Sequence, residues 1–295
     1  MIFEYRNHCQ PQDVFDDPNQ RRCIYCNEDL QIINLKEDYW NIDDNEILNS
    51  HYSNKVEFIK ETGIDEEHYN LDLASKEFYT SLEYCDTCGW WRVLKQLLVS
   101  AEVHQMWTMF FGFSGTLRNL DVSDINTPIE EATKYLIAKY DSRFDINPKL
   151  FEDVVGNVFK GIGYNVHVTG YSNDGGIDVV LGNSSEKMIG VQVKRYKNKI
   201  KVEQIRAFAG ALLLNGYKNG IFVTTSDYQP GAIKASEIFK TKTLPIKLIN
   251  SDKFYDALKI SQKSNSDPQY IMNMISNNEI DSLKYYGWSQ PNASL

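Results

Sequence analysis

No apolar run in this 295-residue chain approaches membrane-spanning length. The best candidate, LLVSAEVHQMWTMFFGF, is broken by Glu102, His104 and Gln105 and reads as a buried helix, because residues 91–111 carry helical apolar spacing. The opening residues, MIFEYRNHCQ, show no basic segment followed by an apolar one, so no export signal is visible and the cytoplasm is the expected compartment. Internal repeats are absent. Positive charge is also scarce: 31 Lys and Arg stand against 40 Asp and Glu, a net charge of -9 that by itself argues against a nucleic-acid partner.

That deficit is unevenly spread. Residues 1–145 hold 13 basic against 27 acidic side chains, whereas residues 146–295 hold 18 against 13. Two modules with different partners are expected, and the length is comfortable for two domains. The overall composition, 42% hydrophobic and 24% charged, is that of an ordinary folded chain.

Cysteine is sparse but patterned. Of five, Cys23/Cys26 and Cys85/Cys88 form two Cys-x-x-Cys pairs. In a reducing compartment this spacing reads as metal binding before disulfide, and four thiolates suit tetrahedral Zn²⁺ in a structural role. Gly89, straight after the second pair, allows the tight knuckle in which backbone N–H groups approach sulfur. An iron–sulfur cluster and four buried thiols are the competing readings. Cys9, beside His8, reads as a lone buried cysteine, and the histidines at 51, 68, 104 and 167 as ordinary.

The pattern predicts an N-terminal four-cysteine zinc-binding α+β domain over 1–115, with an acidic, aromatic-dotted insertion between the pairs. A linker with a Pro128-led helix follows over 116–147, then an α/β domain over 148–262 and a polar tail over 263–295. In the α/β domain, KLFEDVVGNVFKGIG reads as a helix stopped by Gly161 and Gly163. The strands are YNVHVTG, IDVVLG, MIGVQVKRY, NGIFVTT and PIKLIN. Helices are expected at KVEQIRAFAGALLLNG, PGAIKASEIFK and, capped by Ser251, SDKFYDALK. The expected order is α-β-β-β-α-β-α-β-α, a mixed sheet flanked by helices.

One feature of that sheet is chemically suggestive. Asp178 opens IDVV behind two glycines, and the next strand carries Gln192 and Lys194 two apart, hence on one face. Lysine is a poor choice on an apolar strand unless its charge is needed. Hydrolysing a phosphodiester requires an aimed and deprotonated water, neutralised phosphate oxygens and a stabilised leaving group. Mg²⁺ held by one or two carboxylates can supply much of this, with a nearby ammonium adding charge where the transition state turns negative. Asp178, the Gln192 side-chain oxygen and the Val193 carbonyl are the oxygen donors on hand.

FEDVVGNVFKGIGYNV, DGGIDVV, VQVKRY and GIFVTTSDY, taken together over residues 149–260, resemble the Mrr-type branch of the PD-(D/E)xK nuclease superfamily, the type IV restriction endonucleases. That branch has glutamine where most relatives have the second acid. The resemblance implies a restriction-endonuclease-like core. It implies Asp178 as the main metal-binding carboxylate, Gln192 as an auxiliary ligand, Lys194 as catalytic lysine and Glu152 as a second acid beside the metal. The expected activity is Mg²⁺-dependent cleavage of DNA, in defence against foreign or phage DNA.

Bland readings stand beside these: Asp178 as a turn end, Lys194 as an edge-strand guard, Gln192 as an ordinary strand residue and Glu152 as an acid favoured by the helix dipole. Arg195, Lys197, Lys199 and Lys201, directly after the lysine strand, are expected to meet DNA phosphates, though such a run can be just a solvated face. Thr224, Thr225 and Ser226 match a family feature but can serve only to cap and turn. Cutting both strands favours at least a homodimer. The alternatives are a catalytically silent DNA-binding module, or an adaptor recruiting another protein through the zinc domain.

Overall fold

The structure is a computed structural model that describes residues 1–5, 20–36, 60, 75–101, 105–170, 175–182, 188–263, 266–276 and 284–289. His8, Cys9, His51, His68, His104 and the turn at 183–187 lie outside the described residues. The chain divides into two compact units, one comprising residues 3–117 and 267–295, the other residues 1–2 and 118–266.

In the first unit, β1 (Phe3–Glu4) pairs antiparallel with β6 (Thr116–Leu117). Between them β2 (Gln31–Leu35), β3 (Ser75–Tyr84), β4 (Trp91–Ala101) and β5 (Gln105–Ser114) form an antiparallel meander. The helix expected over 91–111 is therefore wrong: this stretch is two paired strands, with Ala101 facing Gln105 across the ladder. The physical reason lies in burial. Trp91, Arg92, Val93 and Leu94 are all buried, so both faces of β4 are covered and the period-two signal of a half-exposed strand is lost. Arg92 is tolerated there because its cross-strand partner Glu83, equally buried, accepts its Nε–H at 2.8 Å.

The second unit opens with α1 (Ile129–Ala138), a 3-10 turn (Tyr140–Phe144) and α2 (Pro148–Gly161). Asn147 caps α2, its side chain accepting the Lys149 N–H at 2.9 Å, and Pro148 occupies the first turn where its missing N–H costs nothing. Leu150, Phe151, Val154, Val155, Val158 and Phe159 make the buried stripe. The chain then runs through β7 (Asn165–Val168), β8 (Val179–Gly182), β9 (Ile189–Lys194), α3 (Val202–Leu214), β10 (Asn219–Thr224), α4 (Pro230–Thr241), β11 (Ile246–Ile249) and α5 (Ser251–Gln262). This is the expected element order. The cap of α5 differs: Asn250, not Ser251, accepts the Lys253 N–H, while the Ser251 N–H is given to the Ser226 carbonyl.

The five strands lie in the order β11-β10-β9-β8-β7; β11, β10 and β9 are parallel, and β8 and β7 antiparallel to their neighbours. A core of Ile177, Ile205, Phe208, Leu212, Phe222, Tyr228 and Ile246 joins sheet to helices. Gly190 and Gly220 sit side by side in the ladder, and an added Cβ at Gly220 would lie 2.4 Å from Leu212 and 2.9 Å from Phe208. Their lack of a side chain lets α3 press onto the sheet that carries Lys194.

The remaining elements, α6 (Gln269–Ser276) and β12 (Lys284–Ser289), belong to the first unit, where β12 extends the antiparallel sheet alongside β5. Among the described residues no helix is long and apolar enough to cross a membrane.

Candidate active site and cysteine cluster

The turn into Asp178 explains its two glycines. Gly175 and Gly176 have φ of +59° and +83°, the left-handed region that side chains resist. At the end of the turn Asp178 is fastened twice to β9. Its N–H donates to the Val191 carbonyl at 2.9 Å, and its carboxylate accepts the Val193 N–H at 2.6 Å. The carboxylate thus lies level with residue 193, flanked in sequence by Gln192 and Lys194. Asp178 is only 4% exposed. Gln192 donates its amide N–H to the Gly176 carbonyl at 3.1 Å, which leaves its side-chain oxygen without a donor among the described residues.

Glu152 reaches the same place from α2. Burial raises its carboxyl above the usual glutamate range; the hydrogen bond from Lys149 opposes this, the Asp178 charge raises it further, and the Lys149 and Lys194 charges lower it. The Asp178 carboxylate therefore lies beside the Gln192–Lys194 stretch of β9, and Glu152, in the second turn of α2, is linked to the start of β8 through Lys149 and Thr169. Such a set of oxygen donors suits a hard divalent cation.

Two further residues, not found by sequence reasoning, tie the acids together. Lys149 donates from Nζ to Glu152 at 2.8 Å and to the Thr169 carbonyl at 2.6 Å. Thr169 in turn gives its hydroxyl to the carbonyls of Ile177 and Asp178, both at 2.8 Å. The one sequence signal was a lysine at the helix start, three residues before an acid.

The basic run following β9 is held rather than loose. Thr224, Thr225 and Ser226 donate their hydroxyls to the carbonyls of Lys194, Tyr196 and Asn198 at 3.0, 2.8 and 2.8 Å. The three hydroxyls lace the segment after β9 to the one after β10. Arg195 donates to the Phe144 carbonyl, Lys197 lies over the Phe144 ring, and Lys199 pairs with Asp227 at 3.1 Å on the surface. With Lys201 and Gln204 these residues line an open hollow of about 350 Å³.

In the other unit the four paired cysteines come together. Their sulfurs lie within 4.8 Å of one another, all buried, with Cys23–Cys88 at 3.5 Å and Cys26–Cys85 at 3.4 Å. The two knuckles match. Asn27 and Gly89, each following the second cysteine, have φ of +59° and +86°, and each N–H returns to the carbonyl of the first cysteine at 2.9 and 3.0 Å. Gly89 was readable in the sequence; Asn27 plays the same part less visibly, as asparagine tolerates this region. The Cys85 thiol is lowered, chiefly by the hydrogen bond from Cys23, while Cys23 and Cys88 are raised, chiefly by their bonds to Cys26 and Cys23 respectively. Four buried sulfurs this close together could hold a metal ion.

Residues 144–258 match the restriction endonuclease family of Mrr catalytic domains. The chain is also 36% identical over 92 residues to a type IV methyl-directed restriction enzyme, EcoKMrr, of Escherichia coli strain K12. That similarity covers 28% of this chain and 30% of the relative's length.

Proposed function

We propose that this chain, whose residues 144–258 match the Mrr-type restriction endonuclease domain, is a divalent-metal-dependent DNA endonuclease acting in restriction of foreign DNA. The observation carrying this reading is the Asp178 carboxylate held on the Val193 N–H, beside Gln192 and Lys194 of the neighbouring strand.

In this reading Asp178, the Gln192 side-chain oxygen and the Val193 carbonyl hold Mg²⁺, which when bound acts as a Lewis acid and lowers the pKa of water. Lys194 sets its ammonium against charge developing on the phosphate, and helps orient the attacking water. Glu152 supplies the second acid, its place fixed by Lys149. Arg195, Lys197, Lys199 and Lys201 contact DNA phosphates, whose affinity is then salt-dependent. The cysteine cluster holds Zn²⁺ with every coordination position filled by sulfur, so its contribution is to folding and not to chemistry. The acidic surplus of the N-terminal half fits a protein partner or a restricted DNA contact better than a broad grip on the backbone. A single site of this kind attacks one strand at a time, which favours at least a dimer for double-strand breaks.

Incubating the purified chain with supercoiled plasmid and phage DNA, methylated and unmethylated, with and without Mg²⁺, tests the reading. Expected is Mg²⁺-dependent nicking or linearisation that disappears in folded Asp178→Asn and Lys194→Met proteins. Cleavage surviving both changes assigns the chemistry elsewhere, and salt-sensitive binding without turnover in any divalent metal makes the chain a silent DNA-binding module.

A further inference from the structure

Three cations gather around one residue of the 3-10 turn. Arg195 donates from Nη1 to the Phe144 carbonyl. The Arg143 guanidinium stacks 4.1 Å from the Phe144 ring centroid and 4.5 Å from that of Tyr140, and Lys197 Nζ lies 5.7 Å from the same Phe144 ring. Arg143 also donates from Nε to the Thr225 carbonyl at 3.3 Å, and the Thr225 N–H donates to the Lys194 carbonyl at 3.2 Å. The cluster therefore abuts the backbone of the lysine proposed to act in catalysis.

These cations have donors to spare. A guanidinium carries five N–H groups. Arg143 uses Nε and Nη1, the latter on the Tyr140 carbonyl and Asp141, and its two Nη2 hydrogens meet no acceptor among the described residues. Arg195 spends Nη1 alone, and its Nε is buried with no partner among the described residues. Lys197 has its ring contact and no described acceptor. The carboxylate bonded to the cluster, Asp141, is 96% exposed and too well solvated to offset three charges. Three cations in contact with one residue, with donors unfilled, call for an anion. The Tyr140 hydroxyl is committed to the Ser251 carbonyl at 2.6 Å, so the rings serve as props for the guanidinium.

We propose that Arg143, Arg195 and Lys197 form one clamp for a phosphate of the nucleic-acid backbone, on the 3-10 turn that leads into the nuclease domain. A phosphodiester offers two acceptor oxygens, which the unspent Nη2 hydrogens of Arg143 and Arg195 and the Lys197 ammonium can share. The clamp rests on the DNA reading above.

The test is duplex binding followed by fluorescence anisotropy across a KCl series, without divalent metal, for the wild type, Arg143→Gln, Arg143→Lys and Lys197→Gln. Arg143→Gln is expected to bind more weakly at low salt and to reduce the slope of log K against log salt by ~0.9 for each phosphate no longer neutralised. Arg143→Lys keeps the charge and should keep the slope. If Arg143→Lys fails as badly as Arg143→Gln while the slope is unchanged in both, Arg143 merely braces the turn and the clamp is wrong. If the wild type binds no duplex at all, the DNA reading itself falls. Should Arg143→Gln lose its melting transition, Lys197→Gln carries the same test, since its ammonium braces no backbone; an unchanged slope there overturns the clamp.

Discussion

The carboxylate of Asp178 accepts the Val193 N–H at 2.6 Å, on the strand that two residues earlier takes the Asp178 N–H through the carbonyl of Val191. One residue is thus both part of the scaffold and an acid held against the strand that carries Lys194. This makes the choice of substitution matter. Asp178→Ala orphans a buried N–H and is expected to cost about 1–3 kcal/mol of stability. Asp178→Asn keeps an acceptor and should melt close to the wild type while losing cleavage. Denaturant titration beside a plasmid assay separates the two effects, and an Asn variant that still cuts removes Asp178 from the chemistry.

Glu152 has a carboxyl raised chiefly by burial. A raised acid holds its proton more tightly folded than unfolded. It therefore favours folding below its unfolded pKa, and that contribution is lost as pH rises through the folded value. Glu152→Gln should accordingly gain stability over the wild type as pH rises from about 4, with the gap closing again in acid. Paired melting curves along a pH series read this directly. A gap that widens toward acid would show that the bond from Lys149, not burial, governs the group.

The cysteine cluster predicts about one tightly held metal ion per chain, detectable by elemental analysis and released by thiol-reactive mercurials. Cys26→Ser should lose the ion together with much of the stability of the unit that holds it, since structural zinc contributes on the order of 10 kcal/mol to small sites at neutral pH. Full metal content and an unchanged melting temperature in Cys26→Ser would refute a four-sulfur site.

Gly220→Ala tests the packing beneath Lys194. The new methyl group would meet Leu212 at 2.4 Å and Phe208 at 2.9 Å, so these side chains or α3 itself must shift, at a cost of about 1–3 kcal/mol in chemical denaturation. A neutral result would show that α3 is free to move away from the sheet.

Much of the second unit was legible because its helices carry clean apolar stripes and its strands are bounded by glycine, proline and asparagine. The stripe of α2 and the glycines ahead of Asp178 are examples. The first unit was harder to read. In β4, apolar residues face both sides and Arg92 is neutralised by a strand neighbour, so nothing in the local pattern distinguishes a buried strand from a buried helix. The residues missed around the site share one property. Lys149, Thr169 and Arg143 act through main-chain carbonyls distant in sequence, and a carbonyl leaves no mark in the amino-acid alphabet.

The pairing of β2 with β3 has an architectural consequence. Gln31 stands opposite Tyr84 and Leu35 opposite Thr80, so the ladder itself brings one knuckle, just before β2, beside the other, just after β3. Closing a loop costs free energy that grows only with the logarithm of its length. By that rule the number of residues joining Lys36 to Ser75 weighs little on the sulfur centre, whose two halves are brought into register by the strands themselves.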